Sequence, residues 1–175
     1  MKKKLILSLI IMIIVLFFAG CGKQESSYEY NKAEKAYKKG NLIQARSLFE
    51  KALLKTTSNN EKAKISNQLG LILWDLNELQ EAKKSFRTAV NLSSTYNESA
   101  INYGILLFHE KKLSQSKNLF NNVLLEDPEN INANIMMGCV LMAESQFEES
   151  GKDQRLFTEF IYAAGTWKSS RRVIV

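Results

Sequence analysis

Residues 69–89 read LGLILWDLNELQEAKKSFRTA, and residues 103–123 repeat the pattern as YGILLFHEKKLSQSKNLFNNV. In each stretch a large residue precedes a glycine, and a phenylalanine follows that glycine at the same distance. The glycines Gly70, Gly104 and Gly138 recur at equal intervals along the chain. A fixed period of about 34 residues predicts an array of helical repeats in which each unit packs on its neighbour.

The repeated positions resemble those of the tetratricopeptide repeat, a helix–turn–helix unit, over roughly residues 26–147. In this family small residues let two helices approach, an aromatic residue fills the gap, and a closing proline prevents the helix from continuing. The step from the first repeat to the second is slightly longer than the step that follows, and the extra residues fall in the polar turn 56–60. The matching second-helix residues are Ala45, Phe49 and Ala52, then Ala82, Phe86 and Ala89, then Ser116, Phe120, Val123 and Pro128.

Helical patterning is almost continuous, and Pro128 is the one proline of the chain. The resemblance implies an all-α fold, a right-handed α-solenoid of antiparallel helix pairs with about 3.5 repeats and a C-terminal capping helix. Leu79, Leu113 and Phe147 recur as the first residues of second helices, but the register is lost after Phe147. The tail 165–175 has no assignment. We expect helices over 28–39, 42–55, 61–76, 79–92, 97–110, 113–125, 131–146 and 153–164.

The first residues of the chain have the pattern of a secretory signal. Three lysines lie within Met1–Lys4, and Leu5–Ala19 is an apolar run broken only by Ser8. A basic start followed by a short apolar stretch is typical of a signal peptide, and the run is shorter than a membrane-spanning helix requires. We therefore expect the rest of the chain to lie on the non-cytoplasmic side of a membrane.

Residues 18–21, Phe-Ala-Gly-Cys, resemble the lipobox of bacterial lipoproteins, whose cysteine is diacylated and becomes the mature N-terminus. The resemblance implies a signal peptide over 1–20 and lipidation of Cys21. The alternative is an uncleaved N-terminal anchor beside which Cys21 has no role. The resulting organisation is a lipoprotein signal peptide at 1–20, a lipidated N-terminus and spacer at 21–29, a repeat array at 30–147, and a capping helix and tail at 148–175.

Charge and cysteine content limit the classes of function. The chain has 24 basic and 18 acidic residues, and three of the lysines belong to the signal, so the mature part carries a net charge of about +3. This charge is too small to indicate a nucleic-acid partner. With Cys21 lipidated, Cys139 is the remaining thiol, so no intramolecular disulfide is expected.

In the family, the first helices of successive repeats line a concave groove that holds extended peptides or partner helices. Equivalent first-helix positions carry mostly apolar and aromatic residues here, which favours an apolar peptide or an amphipathic helix. The alternative is that these residues serve helix–helix packing. Some relatives hold a peptide carboxylate with basic residues; Asn31, Asn67 and Asn102 are available here, but repeats 3 and 4 lack such basic residues. The predicted groove residues are Tyr30, Tyr37, Asn67, Leu71, Trp74, Ile101, Ile105, Phe108, Ile135 and Met142.

Residues that could perform chemistry are isolated along the chain. His109 is the single histidine and has no partner ligands at metal-binding spacing. Cys139 follows Gly138 in a packed helix, as a small buried apolar residue would. Neither a phosphate-binding glycine loop nor a nucleophile motif is present in the sequence. We expect no catalytic site, no metal, no cofactor and no small-molecule substrate.

The combined features predict a membrane-anchored, exported scaffold or adaptor that binds an as yet unidentified protein or peptide partner through its groove. One alternative is an assembly factor for an envelope or pilus complex, similar to the tetratricopeptide-repeat pilotins. A further alternative is a cell-wall enzyme or a solute-binding lipoprotein, which would need a pocket with clustered acids or a histidine. The expected location is the cell membrane or the outer membrane; Gly22 is not the aspartate that marks inner-membrane retention in some bacteria.

Overall fold

The computed structural model describes residues 26–93 and 96–150, and every regular element within them is an α-helix. The prediction of an all-α helical-repeat fold is therefore confirmed. The predicted leader, the lipidation site Cys21 and the capping helix over 153–164 lie outside the described residues. Seven helices are described: α1 over 26–38, α2 Leu42–Lys55, α3 Asn59–Asp75, α4 Leu79–Leu92, α5 Asn97–His109, α6 Leu113–Glu126 and α7 Ile131–Ser150.

The chain divides into two compact units, Met1–Ser85 and Phe86–Val175, with the boundary inside α4. In the first unit, α2 packs along α3. Phe49 is fully buried, and its ring meets that of Tyr30 edge to face at a centroid distance of 5.3 Å. The small residues predicted for repeat 1 flank it, since Ala45 and Ala52 are both 0% exposed. These alanines allow the helices to approach, as the pattern predicts.

In the second unit, α6 packs on both α5 and α7, and α5 also contacts α7. Phe120 is fully buried, and a Cβ built on Gly104 would lie 2.6 Å from its Cε1 atom. The Ser116 hydroxyl donates a hydrogen bond of 2.8 Å to the Gly104 carbonyl oxygen. The repeated glycine is therefore required at position 104, because the Phe120 ring occupies the space of a side chain.

The turns between paired helices repeat with the same period as the sequence. Positive φ recurs just after the first helix of each pair, at Gly40, Asn77 and Lys111, with values of 78°, 64° and 61°. At Gly40 the turn is closed by two 2.9 Å bonds, from its own N–H to the Tyr37 carbonyl and from Asn41 N–H to the Ala36 carbonyl. The same pair of bonds recurs at the other two turns, so each first helix ends in a Schellman motif.

The fourth repeat departs from this pattern, because α7 continues to Ser150. The predicted helix 131–146 is therefore too short, and Phe147 does not begin a second helix. The position equivalent to Lys111 is Ser145, whose hydroxyl instead donates a 2.9 Å hydrogen bond to the Met142 carbonyl oxygen within the helix. Gly138 also differs from Gly104, since an added Cβ there would meet no atom of residues 26–93 or 96–150 within 4 Å.

Candidate partner-binding surface

The predicted groove residues of the first unit lie at its half-buried surface, with one exception. Tyr30, Tyr37, Leu71 and Trp74 are half-buried, whereas Asn67 is 1% exposed. The Tyr37 hydroxyl donates a 2.7 Å hydrogen bond to Asp75 Oδ2, which ties α1 to the end of α3. That bond fixes the Tyr37 ring beside the helix that carries Trp74. Sequence reasoning did not identify this pair, because the two residues are 38 positions apart.

The predicted groove residues on α5 are buried. Ile101, Ile105 and Phe108 are 4%, 2% and 0% exposed. They therefore serve the helix–helix packing that is the alternative to a groove, and in this conformation they have almost no surface to offer a partner. The His109 ring stands edge to face against Phe108 at a centroid distance of 6.4 Å.

The equivalent residues on α7 are exposed. Ile135 and Met142 are 55% and 49% exposed. Ile131, which the groove prediction did not include, is 74% exposed and lies about one turn before Ile135 on the same side of the helix. Gly138 also lies on this side, so backbone is accessible between the side chains. We call the surface formed by Ile131, Ile135, Gly138 and Met142 the α7 stripe.

The α7 stripe lies in an uncharged environment along its own helix. Residues 131–143 contain no charged side chain, and the first acid of α7 is Glu144. That carboxylate is paired with the Lys117 ammonium of α6 at 2.6 Å. This ion pair joins α7 to α6 at the end of the stripe. The stripe itself contains no charged residue. A surface of this kind binds by apolar contact and does not select for charge.

Chemistry-bearing groups are scattered over the described residues. The Cys139 thiol is half-buried, and burial raises its pKa, which keeps it protonated at neutral pH. Among residues 26–93 and 96–150, no three His, Cys, Asp or Glu side chains come together as a metal site would require. In the same part of the chain, no helix is both long and apolar enough to cross a membrane.

Comparison with known proteins supports the fold. Residues 63–96, which include most of α3 and all of α4, match the family model of the tetratricopeptide repeat. A stretch of 67 residues is 31% identical to tetratricopeptide repeat protein 8 of Caenorhabditis elegans. That stretch covers 38% of this chain and 13% of the nematode protein, so the chain spans about an eighth of the length of this relative. The chain therefore contains a tetratricopeptide repeat.

Several solved structures have a similar fold. The first tetratricopeptide-repeat domain of Spaghetti (RPAP3), bound to the HSP90 peptide SRMEEVD, has a TM-score of 0.62 at 20% identity, over 70% of this chain and 94% of that one. The second such domain of human RPAP3, in complex with an HSP70 peptide, has a TM-score of 0.60 at 18% identity, over 68% and 97%. A tetratricopeptide-repeat protein from Parabacteroides merdae has a TM-score of 0.63 at 21% identity, over 85% and 64%.

Proposed function

We propose that this chain is a lipid-anchored adaptor that binds an apolar segment of a partner protein on the α7 stripe. The observation that carries the proposal is the exposure of Ile131, Ile135 and Met142 on one side of a helix that is uncharged over residues 131–143. An amphipathic helix or an apolar peptide would bury these side chains, and each aliphatic residue removed from water adds roughly 1–2 kcal/mol. The half-buried Tyr37, Leu71 and Trp74 form a second, weaker candidate region in the first unit.

Peptide binding by the similar structures supports a protein partner, and the charge of the present surface argues for a different type of peptide. The peptide SRMEEVD bound by the Spaghetti domain carries three acidic residues. None of the four residues of the α7 stripe is charged. An acidic peptide would therefore lose water from its carboxylates without gaining an ion pair. We infer that the partner segment is apolar.

Photo-crosslinking in the producing cells tests the surface. A photoreactive residue at Ile135 should crosslink a defined protein, and one at Leu125 should not. Leu125 is the matched control because it is an aliphatic residue 82% exposed on α6, a different helix from that of the stripe. Equal crosslinking of the same proteins from both positions would contradict the assignment. The identity of the crosslinked protein also separates a recruitment role from assembly of an envelope complex.

The anchor is proposed on the sequence pattern of residues 1–21. Metabolic labelling with a radioactive fatty acid should mark the wild-type chain and should not mark the Cys21→Ala variant. Cys139 provides the internal control, since Cys139→Ser should retain the label. A label that persists in Cys21→Ala, or that never appears in wild type, would contradict lipidation at this residue.

A further inference from the structure

A shallow groove of about 800 Å³ lies on one side of the α1–α2 hairpin, and none of the predicted groove residues or of the α7 stripe lines it. Lys32 contributes from α1, and Gln44, Ser47, Leu48 and Lys51 contribute from α2. With Asn41 from the turn between them, the groove is lined by two ammonium groups, three neutral polar side chains and aliphatic carbon. The proposed binding of a protein partner uses none of these residues.

Basic side chains extend the groove along α1. Lys35 follows Lys32 at three positions, a spacing that puts both on one side of α1, and Lys39 stands one residue after the end of that helix. All three, and Lys51, are exposed, and none of the four ammonium groups makes an ion pair or hydrogen bond with the described residues. Four uncompensated positive charges thus share one surface, which we call the basic face.

Acids near the basic face are already paired. The Glu50 carboxylate accepts a 3.0 Å bond from Arg46 Nε, and Glu29 Oε1 lies 3.4 Å from Lys55 Nζ. Glu34 lies on α1 about half a turn away from Lys32. The hairpin therefore does not neutralise its own basic face, and an anionic partner would find these charges available.

Aliphatic side chains flank the lysines. Ile43 lines the groove and is 69% exposed, and Leu54 is 87% exposed on the same side of α2, about three helical turns further along. Lysines beside exposed aliphatic residues are the combination by which protein surfaces lie on lipid headgroups, with the aliphatic carbon at the edge of the acyl region. A second copy of this chain would instead bring two sets of lysines together, and their repulsion would oppose that contact.

We propose that the basic face docks on a membrane surface that contains anionic phospholipid. In this arrangement Lys32, Lys35, Lys39 and Lys51 lie among the phosphates, and Ile43 enters the boundary between headgroups and acyl chains. This orientation rests on the proposed anchor at Cys21. The short segment from Cys21 to the first described residue, 26, can span at most about 18 Å, so a lipidated chain would hold the hairpin at the membrane.

Lysine footprinting on vesicles tests the docking. The full chain, purified from the producing cells, is reconstituted into vesicles of phosphatidylcholine alone or of equal parts phosphatidylcholine and phosphatidylglycerol. A soluble amine-reactive reagent then modifies exposed lysines, which are quantified by mass spectrometry. Lys32, Lys35 and Lys51 should be modified at least about threefold more slowly in the anionic vesicles, and high salt should remove the difference. Lys64, exposed on α3, is the internal control and should react equally in both.

Charge-reversal variants distinguish a specific face from general attraction. Lys32→Glu with Lys51→Glu should abolish protection of Lys35, whereas Lys64→Glu with Lys111→Glu, which changes net charge equally, should retain it. Equal rates of modification of Lys32 and Lys51 in the two kinds of vesicle would overturn the docking. The basic face would then be a site for an acidic protein.

Flotation with the phosphatidylcholine vesicles reports the anchor separately. A chain that floats with them but shows no lysine protection in either vesicle contradicts the docking and leaves the anchor intact. A chain that floats only with anionic vesicles and shows the protection contradicts the anchor and supports the docking.

Discussion

The helices α5 and α7 are equivalent in the repeat, yet their residues have opposite environments. Ile101 and Phe108 are buried on α5, and the residues one repeat later, Ile135 and Met142, are about half exposed on α7. The two helices also end differently. A left-handed residue ends α5 and allows α6 to pack back on it, whereas α7 continues past the equivalent position. Equivalent positions of the repeat are therefore core on α5 and surface on α7.

Truncation of Phe108 on α5 and of the equivalent Met142 on α7 should give the largest difference in the free energy of unfolding. Phe108→Ala removes a fully buried ring and should lower the free energy of unfolding by about 3–5 kcal/mol. Met142→Ala removes a half-exposed side chain and should change it by less than about 0.5 kcal/mol. Urea denaturation followed by circular dichroism measures both. Similar losses for the two variants would show that Met142 belongs to a packed core.

Replacement of Gly104 and of Gly138 by alanine should change the stability of the fold in opposite directions. Gly104→Ala places a Cβ against the buried Phe120 ring and should cost about 1–3 kcal/mol. Gly138→Ala meets no atom within 4 Å in the described part of the chain and removes backbone freedom from a helix interior, so it should stabilise by about 0.5–1 kcal/mol. Thermal melting points rank the two variants against wild type. A destabilised Gly138→Ala would indicate that a further element packs closely on α7.

Relief of backbone strain at the α5–α6 turn should have a smaller effect. Lys111 has a φ of 61°, which a side chain disfavours, so Lys111→Gly should raise the free energy of unfolding by about 1 kcal/mol. Gln115→Gly, at an ordinary helical position of α6, should lower it by about the same amount. Denaturation midpoints at constant m-value test this pair. A loss of stability in Lys111→Gly would contradict the left-handed turn that distinguishes α5 from α7.

The ion pair that joins α6 to α7 should make the smallest contribution to the free energy of unfolding. Lys117 and Glu144 are 2.6 Å apart, and both side chains are about one-third exposed. A double-mutant cycle with Lys117→Met and Glu144→Gln should give a coupling energy of about 0.2–1 kcal/mol that falls with added salt. A coupling that salt does not alter would indicate that the pair is shielded from solvent, and hence that α7 is covered.

The repeat period predicts most of the fold because each repeated position has a single physical role. Predicted and observed starts agree for α2, α4, α5, α6 and α7, where turns and apolar residues recur at fixed spacing. Residue type gives a weaker signal at Asn77 and Lys111 than at Gly40, since asparagine tolerates the left-handed conformation and lysine rarely adopts it. Both follow Gly40 at the spacing that separates the phenylalanines of successive repeats, so an alignment of the repeats on Gly40 would have found them.

The candidate surface is less predictable than the fold. The groove prediction treats equivalent first-helix positions of successive repeats as alike. Their exposure, however, depends on whether a further helix packs over them, and the residue type at one position does not carry that information. The end of α7 shows the same limit. Ser145 stands at the position of the expected turn, yet the helix continues through it to Ser150.

The central claim is that the α7 stripe is a binding surface and not a part of the core. The double variant Ile135→Asn with Met142→Asn tests it most directly, when unfolding free energy and affinity for the crosslinked partner are measured on the same preparation. We predict an unfolding free energy within about 0.5 kcal/mol of wild type and an affinity reduced at least about tenfold. A variant that loses stability yet still binds the partner like wild type would contradict the claim.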